Sequence, residues 1–291
     1  TFSENFKYFV NQFSNIKTPY IFTVRDNNGK IIRTIENNAE FSEQIKTYGD
    51  FAKKIEKFKT TEGVELIGMW IYPPDFYSNK KYPVVVTQYS GPNSQSVINE
   101  WSFGWEEYLA QQGFIVFVVD TRGTACRGED FRKVTYKNLG KYETIDLIET
   151  AKYLGTVSYV NKDKIGIWGW SYGGFMVLNS MTKGNGIYKA GIAVAPVTSW
   201  RYYDNIYTER YNGLPQENKS GYDDNSPLFN INGFKGELLL VYGTADDNVH
   251  PQNSYEFVEK MVQAGKQFRM FSYTNRNHSI YGGYTRLHLY T

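Results

Sequence analysis

The segment Gly169-Trp170-Ser171-Tyr172-Gly173-Gly174 holds the residues best placed in this chain to do chemistry. A serine with glycine two positions to either side follows the apolar run 164–168 and precedes the helix-capable stretch 175–181, which is the setting of a nucleophile elbow. A strained turn between strand and helix would lift Ser171 Oγ above the sheet edge, and the glycines would let strand and helix pack closely. The following N–H, that of Tyr172, would face the space in which a negatively charged oxygen develops. A serine hydroxyl needs a general base at neutral pH, and the base needs an acid to orient it.

With the serine on such an elbow, the acid and then the base come later in the chain, each on a loop beyond a strand's C-terminal end. The chain has three histidines. His278 follows the last predicted strand, 268–273, where the base belongs. His250 follows the preceding strand and stands too near the candidate acid in sequence to approach the serine from an opposite loop. His288 opens what reads as a terminal helix. His278 is therefore favoured. The acid should follow the strand at 238–242, where Asp246 and Asp247 adjoin; Asp246 is the first carboxylate after the small-residue turn and is preferred, Asp247 having a loop-bonding or capping role open to it. After the strand at 84–89 the chain reads Tyr89-Ser90-Gly91-Pro92 rather than a glycine-rich run. Tyr89 could donate its hydroxyl to an oxyanion, or could be a buried tyrosine at the sheet end.

The elements that must position these groups alternate along most of the chain. Unbroken apolar strands are predicted at 84–89, 114–119, 164–168, 190–194, 238–242 and 268–273, with helices at 105–112, 144–154, 175–181 and 253–264. Such interleaving predicts a mostly parallel sheet covered by helices on both faces. A hairpin, 56–60 with 64–72, precedes it. Earlier still, strands at 6–10, 19–24 and 30–35 have no helix among them and are too few for a core of their own, and 37–50 reads as a polar connector with a short helix. The chain is 291 residues long with a formal net charge of +2, and no basic stripe interleaves with aromatics, so a nucleic-acid partner is not expected. The longest apolar run, 114–119, is too short to span a bilayer. The single cysteine, Cys126, excludes an intrachain disulfide and reads as a loop thiol. Nothing calls for a metal or a cofactor. The 25 tyrosines serve either packing or an aromatic-lined pocket.

Taken together, Tyr89-Ser90-Gly91-Pro92, the elbow, the stretch Ala193 to Trp200, the motif Tyr202-Tyr203-Asp204-Asn205-Ile206-Tyr207-Thr208-Glu209-Arg210-Tyr211 and the stretch Gly243 to His250 resemble the catalytic domain of the prolyl oligopeptidase family, in its dipeptidyl peptidase IV branch. The likeness runs from about residue 51 to the end. It implies an α/β-hydrolase fold at 51–291, preceded at 1–50 by the last strands of a β-propeller and a connector, with the usual C-terminal helix lying beyond Thr291. It implies Ser171, Asp246 and His278 as catalytic triad, Tyr89 and the Tyr172 N–H as oxyanion hole, and a proline-sized P1 pocket from Tyr172, Val197, Trp200, Tyr203, Tyr207 and Val249, with Asn248 touching a substrate carbonyl. A flat apolar ring is well buried by such walls, although Tyr203 and Tyr207 could instead be one helix face at i, i+4. The implied activity is that of a serine exopeptidase releasing N-terminal dipeptides from peptides with proline or alanine in the penultimate position, without cofactor, as a homodimer in full length, in the periplasm or outside the cell. In this branch a pair of propeller glutamates holds the substrate's free amine. Ser279 stands where the family usually has glycine. An oligopeptidase or tripeptidyl peptidase of the same family is the alternative; an esterase fits less well because Tyr89 replaces the glycine-rich loop, and a non-catalytic homologue less well because Ser171, Asp246 and His278 are all present.

Overall fold

Period-two patterns and helix-start signals settle into two sheets in a computed structural model that describes residues 1–291. The strands are β1 Tyr8–Asn15, β2 Thr18–Asp26, β3 Ile31–Glu36, β4 Lys53–Lys59, β5 Glu65–Ile71, β6 Tyr82–Thr87, β7 Ile115–Asp120, β8 Val160–Trp170, β9 Ala190–Val194, β10 Glu237–Gly243 and β11 Arg269–Tyr273. The helices are α1 Ala39–Lys46, α2 Trp105–Gln111, α3 Glu129–Lys133, α4 Lys141–Thr156, α5 Tyr172–Lys183, α6 Asn205–Asn212, α7 Lys219–Asp223, α8 Gln252–Gln263 and α9 Thr285–Tyr290. β1, β2 and β3 form a separate antiparallel sheet. The other eight strands make one sheet in the order β11-β10-β9-β8-β6-β7-β5-β4. Its pairs from β11 to β7 are parallel, and β5 and β4 join antiparallel at one edge.

All six residues of β7, Ile-Val-Phe-Val-Val-Asp, are buried, because successive side chains enter opposite cores. Ile115, Phe117 and Val119 join the larger core, with Leu147 and Leu154 of α4 and Phe175 to Leu178 of α5. Val116 and Val118 point the other way, toward Met69, Ile71 and Ala110 of α2. Helices thus cover both faces, as an α/β fold with a mostly parallel sheet requires.

The boundaries differ from the sequence reading where local signals compete. β6 ends at Thr87, so Tyr89 lies on the loop and not in the strand. α4 begins at Lys141, three residues before the predicted start, because Gly140 (φ 89°) caps it and Glu143 Oε2 accepts the Gly140 N–H at 3.1 Å. β1 starts later and runs longer than the predicted 6–10. The short helices α3 and α7 were not predicted, being too brief to show a periodic pattern, and the terminal helix read at His288 begins earlier, as α9 at Thr285. Tyr203 closes a single turn at Trp200–Tyr202, while Tyr207 lies in α6, so the two are not neighbours on one helix.

Candidate active site

Five loops at the C-terminal ends of adjacent parallel strands, β6, β8, β9, β10 and β11, supply the predicted site residues. Ligand sites of open α/β sheets form at that edge. Ser171 joins β8 to α5 with φ 60° and ψ −117°, a conformation L-residues rarely adopt. The turn is held from both sides: Ser171 N–H donates to Val194 O at 2.8 Å, and Phe175 N–H donates to Ser171 O at 3.0 Å. Its glycines serve close approach. A Cβ on Gly169 would stand 2.3 Å from Gly173 O, and one on Gly173 would stand 2.7 Å from Gln88 O. The N–H of Tyr172 opens α5 and has no acceptor one turn back, as at any helix start.

Asp246 and His278 come together from the loops after β10 and β11, which are 32 residues apart in sequence. His278 Nδ1 lies 2.8 Å from Asp246 Oδ2, and Asp246 is only 2% exposed. The other carboxylate oxygen, Oδ1, accepts the N–H groups of Asn248 (3.0 Å) and Val249 (2.9 Å). Both oxygens are therefore occupied, and the carboxylate cannot turn. A carboxylate against Nδ1 favours the tautomer protonated there, which leaves Nε2 free to accept a proton. The His278 loop is tied to the elbow as well, since Trp170 Nε1 donates to His278 O at 3.0 Å. Asp247 is exposed. His250 is exposed and its Nδ1 accepts Gln252 N–H at 3.2 Å, whereas His288 Nδ1 pairs with Tyr273 OH at 2.7 Å.

Tyr89 stands on the loop after β6, its ring 6.0 Å from that of Tyr172 beside the elbow. Burial pushes its phenol up. Gly91 makes room for the ring, because a Cβ there would stand 2.5 Å from Tyr89 Cε1. Gln88, a residue the sequence reading passed over, locks this loop to the elbow by donating its buried Nε2 to Gly173 O at 2.9 Å. Further along the same loop, Asp120 accepts the N–H groups of Ser96 (2.8 Å) and Val97 (2.9 Å). Tyr89 is thus presented by a braced loop.

The aromatic residues implied for a pocket form one connected set. Trp200 and Tyr207 stack with centroids 5.8 Å apart at 24°. Tyr203 meets Trp200 edge-on at 5.7 Å and Tyr207 at 5.4 Å. Tyr172 packs on Trp200 at 5.3 Å and faces Tyr89 at 6.0 Å. Val197 and Val249 are buried in the same core. Asn248 Oδ1 accepts the Tyr203 hydroxyl at 2.8 Å, which joins this wall to the Asp246 loop. Asn253 on α8 anchors the loop after β9, its Oδ1 accepting Thr198 N–H at 2.9 Å. A second residue missed in the sequence, Glu143, accepts the hydroxyl of Tyr172 from this aromatic set at 2.7 Å. Its one sequence signal is the Gly-x-x-Glu spacing of a helix start, which speaks of a cap and not of a pocket.

The prolyl oligopeptidase family model matches residues 101–291. Dipeptidyl peptidase 4 of Bos taurus is 36% identical over 295 residues, covering 100% of this chain and 38% of that protein. Prolyl endopeptidase FAP of Mus musculus is 38% identical over 264 residues, covering 89% of this chain and 35% of that protein. The crystal structure of Porphyromonas gingivalis dipeptidyl peptidase 4 superimposes with a TM-score of 0.96 at 48% identity, over 100% of this chain and 41% of that one. The chain therefore spans about two fifths of the length of these relatives.

Proposed function

Since the chain belongs to the prolyl oligopeptidase family, we propose that it is the catalytic part of a serine dipeptidyl peptidase that releases Xaa-Pro or Xaa-Ala from peptide N-termini. The observation that carries the reading is that Ser171 on its strained turn, the Asp246–His278 pair and Tyr89 stand on loops at one sheet edge. His278 Nε2 takes the proton of Ser171 Oγ as the oxygen attacks the scissile carbonyl carbon. Tyr89 OH and the Tyr172 N–H stabilise the oxyanion. The C–N bond then breaks as His278 returns the proton to the leaving amine, and water resolves the acyl-enzyme by the same route in reverse order of roles. Proline at P1 would rest among Tyr172, Trp200, Tyr203 and Tyr207, with Val197 and Val249 behind, and Asn248 would meet a substrate carbonyl.

Other parts of the reading come from the resemblance. A pair of propeller glutamates would hold the substrate amine, and the β1–β3 sheet would be the end of that propeller; the half-exposed Ile31, Ile32 and Ile35 of β3 suit a sheet that packs in a larger body. A homodimer and a periplasmic or extracellular setting belong to the same proposal. No helix is long and apolar enough to cross a membrane.

The test uses the full-length protein. A fluorophosphonate probe should label Ser171, Gly-Pro-p-nitroanilide should be hydrolysed, and Ser171→Ala should abolish both. Label on another serine would refute the nucleophile. Equal turnover of N-acetylated and free Gly-Pro substrates would refute the exopeptidase mode and favour an endopeptidase.

A further inference from the structure

Glu143 is wholly buried in the first turn of α4, and no cation is paired with it. Its Oε2 accepts the Gly140 N–H at 3.1 Å, and its Oε1 accepts the Tyr172 hydroxyl at 2.7 Å. α4 is itself pinned one turn later, where the buried Asp146 accepts Arg122 N–H at 2.7 Å and the Arg122 guanidinium at 2.6 Å. Gly140 sits hard against Phe175 of α5, since a Cβ there would be 2.6 Å from the ring. Around the carboxyl lie the buried hydroxyl of Tyr172, the like-charged Asp146 and, more distantly, Lys183 and Tyr207. A leucine would fill this space without the cost of burying an acid. What the acid adds is two acceptors, one that caps the helix at Gly140 N–H and one aimed at Tyr172.

We propose that Glu143 is a positioning residue for P1 recognition: anchored at the start of α4, it holds the Tyr172 hydroxyl and so keeps the Tyr172 ring in place as a wall of the proline pocket. The inference rests on the P1 reading proposed above. Tyr172 has two duties in that reading, its ring against the P1 side chain and its N–H at the oxyanion. Glu143 touches only the ring's hydroxyl. Its loss therefore bears on P1 binding more than on the acyl-transfer step. Burial raises the Glu143 carboxyl to about 7, the mark of an acid kept out of water for the sake of a specific partner.

The experiment compares wild type, Glu143→Gln and Tyr172→Phe in the full-length protein on Gly-Pro- and Gly-Ala-p-nitroanilide, with fluorophosphonate labelling of Ser171 as a readout that makes little use of P1. With the glutamine oxygen taken by Gly140 N–H, its amide N–H meets the Tyr172 oxygen, and the Tyr172 hydroxyl proton is left buried without its acceptor. Glu143→Gln should raise KM for the proline substrate and lower its kcat/KM by about tenfold, the factor expected for one buried hydrogen bond. The alanine substrate, too small to lean on the ring, should change by no more than about twofold, as should the labelling rate. Tyr172→Phe breaks the same bond from the other side and should lower the proline-to-alanine ratio likewise, which serves if Glu143→Gln does not fold. In the Tyr172→Phe background, Glu143→Gln should add nothing to that ratio. An equal fall on both substrates, or none on either, would overturn the inference alone. A wild type that cleaves neither substrate would overturn the proposed function, and the inference with it.

Discussion

Asp246→Asn is the change that most directly probes how the buried carboxylate governs His278. Asp246 is 2% exposed, its Oδ1 accepts two backbone N–H groups at 3.0 and 2.9 Å, and its Oδ2 faces His278 Nδ1 at 2.8 Å. An asparagine has the same shape, but only its oxygen can accept from Asn248 and Val249. The amide nitrogen must then take the position of Oδ2 and present N–H to His278 Nδ1. A donor there requires Nδ1 to carry the lone pair, which moves the ring proton to Nε2. Nε2 can then no longer take the proton from Ser171. The expected loss in kcat is about 10⁴-fold, or ~5.4 kcal/mol at 1.36 kcal/mol per tenfold. KM should change little, and thermal stability should stay near wild type because volume and backbone bonds are kept. The assay is steady-state hydrolysis of Gly-Pro-p-nitroanilide by the full-length protein, beside a melting curve. Asp247→Asn is the control: that side chain is exposed and its replacement should cost less than about twofold. A loss below tenfold for Asp246→Asn in a folded protein would refute the tautomer reasoning. A larger loss for Asp247→Asn would move the acid next door.

His278→Ala should lower kcat by about 10⁴-fold or more, since triad members act as a unit, while His250→Ala, at an exposed ring, should keep kcat within about twofold; reversed effects would show that the base is misassigned. Tyr89→Phe should leave KM nearly unchanged and reduce kcat by about 10²–10³, the effect of one lost oxyanion donor, and an unaltered kcat would return Tyr89 to a packing role. The Glu143 carboxyl makes a stability prediction of definite sign. Its folded value of about 7 lies above the ordinary 4.5, so between these limits the folded state binds more protons than the unfolded one, and stability falls as pH rises through that window. The contribution is on the order of 3 kcal/mol, against a background that includes Asp146, Lys183, Tyr172 and Tyr207 around the group. Urea melts at pH 5 and pH 7.5 should show Glu143→Gln losing part of the wild-type decline, and an identical slope in the variant would count against the assignment.

How much of this site can be read from the chain alone depends on how local each cause is. The elbow is local: glycine spacing and the strand-to-helix change identify Ser171 because steric closeness between Gly169 and Gly173 is a matter of five residues. The order of serine, acid and base narrows three histidines to one by position after a strand, and the alternation of apolar strands with helices specifies a mostly parallel sheet, because period-two and period-3.6 patterns are properties of neighbouring residues. The aromatic motif from Tyr202 to Tyr211 was legible as a set through its resemblance, although not as a shape. Placing Tyr203 before α6 required the turn that Ser199 caps and the helix start that Asp204 caps, with Ser199 Oγ accepting Arg201 N–H and Asp204 Oδ1 accepting Tyr207 N–H at 2.8 Å. What tertiary structure alone decided are the contacts between segments far apart in sequence. Gln88 reaches Gly173 across 85 residues, Asp246 reaches His278 across 32, and Glu143 reaches Tyr172 across 29. No pattern within one strand or helix encodes these distances, because each depends on which strands lie side by side in the sheet. Only with β6 next to β8, and β9 between β8 and β10, do five separate loops meet at one edge. Burial follows from that packing as well, and it is burial that turns Glu143 from a helix-start signal into a buried acid bonded to Tyr172.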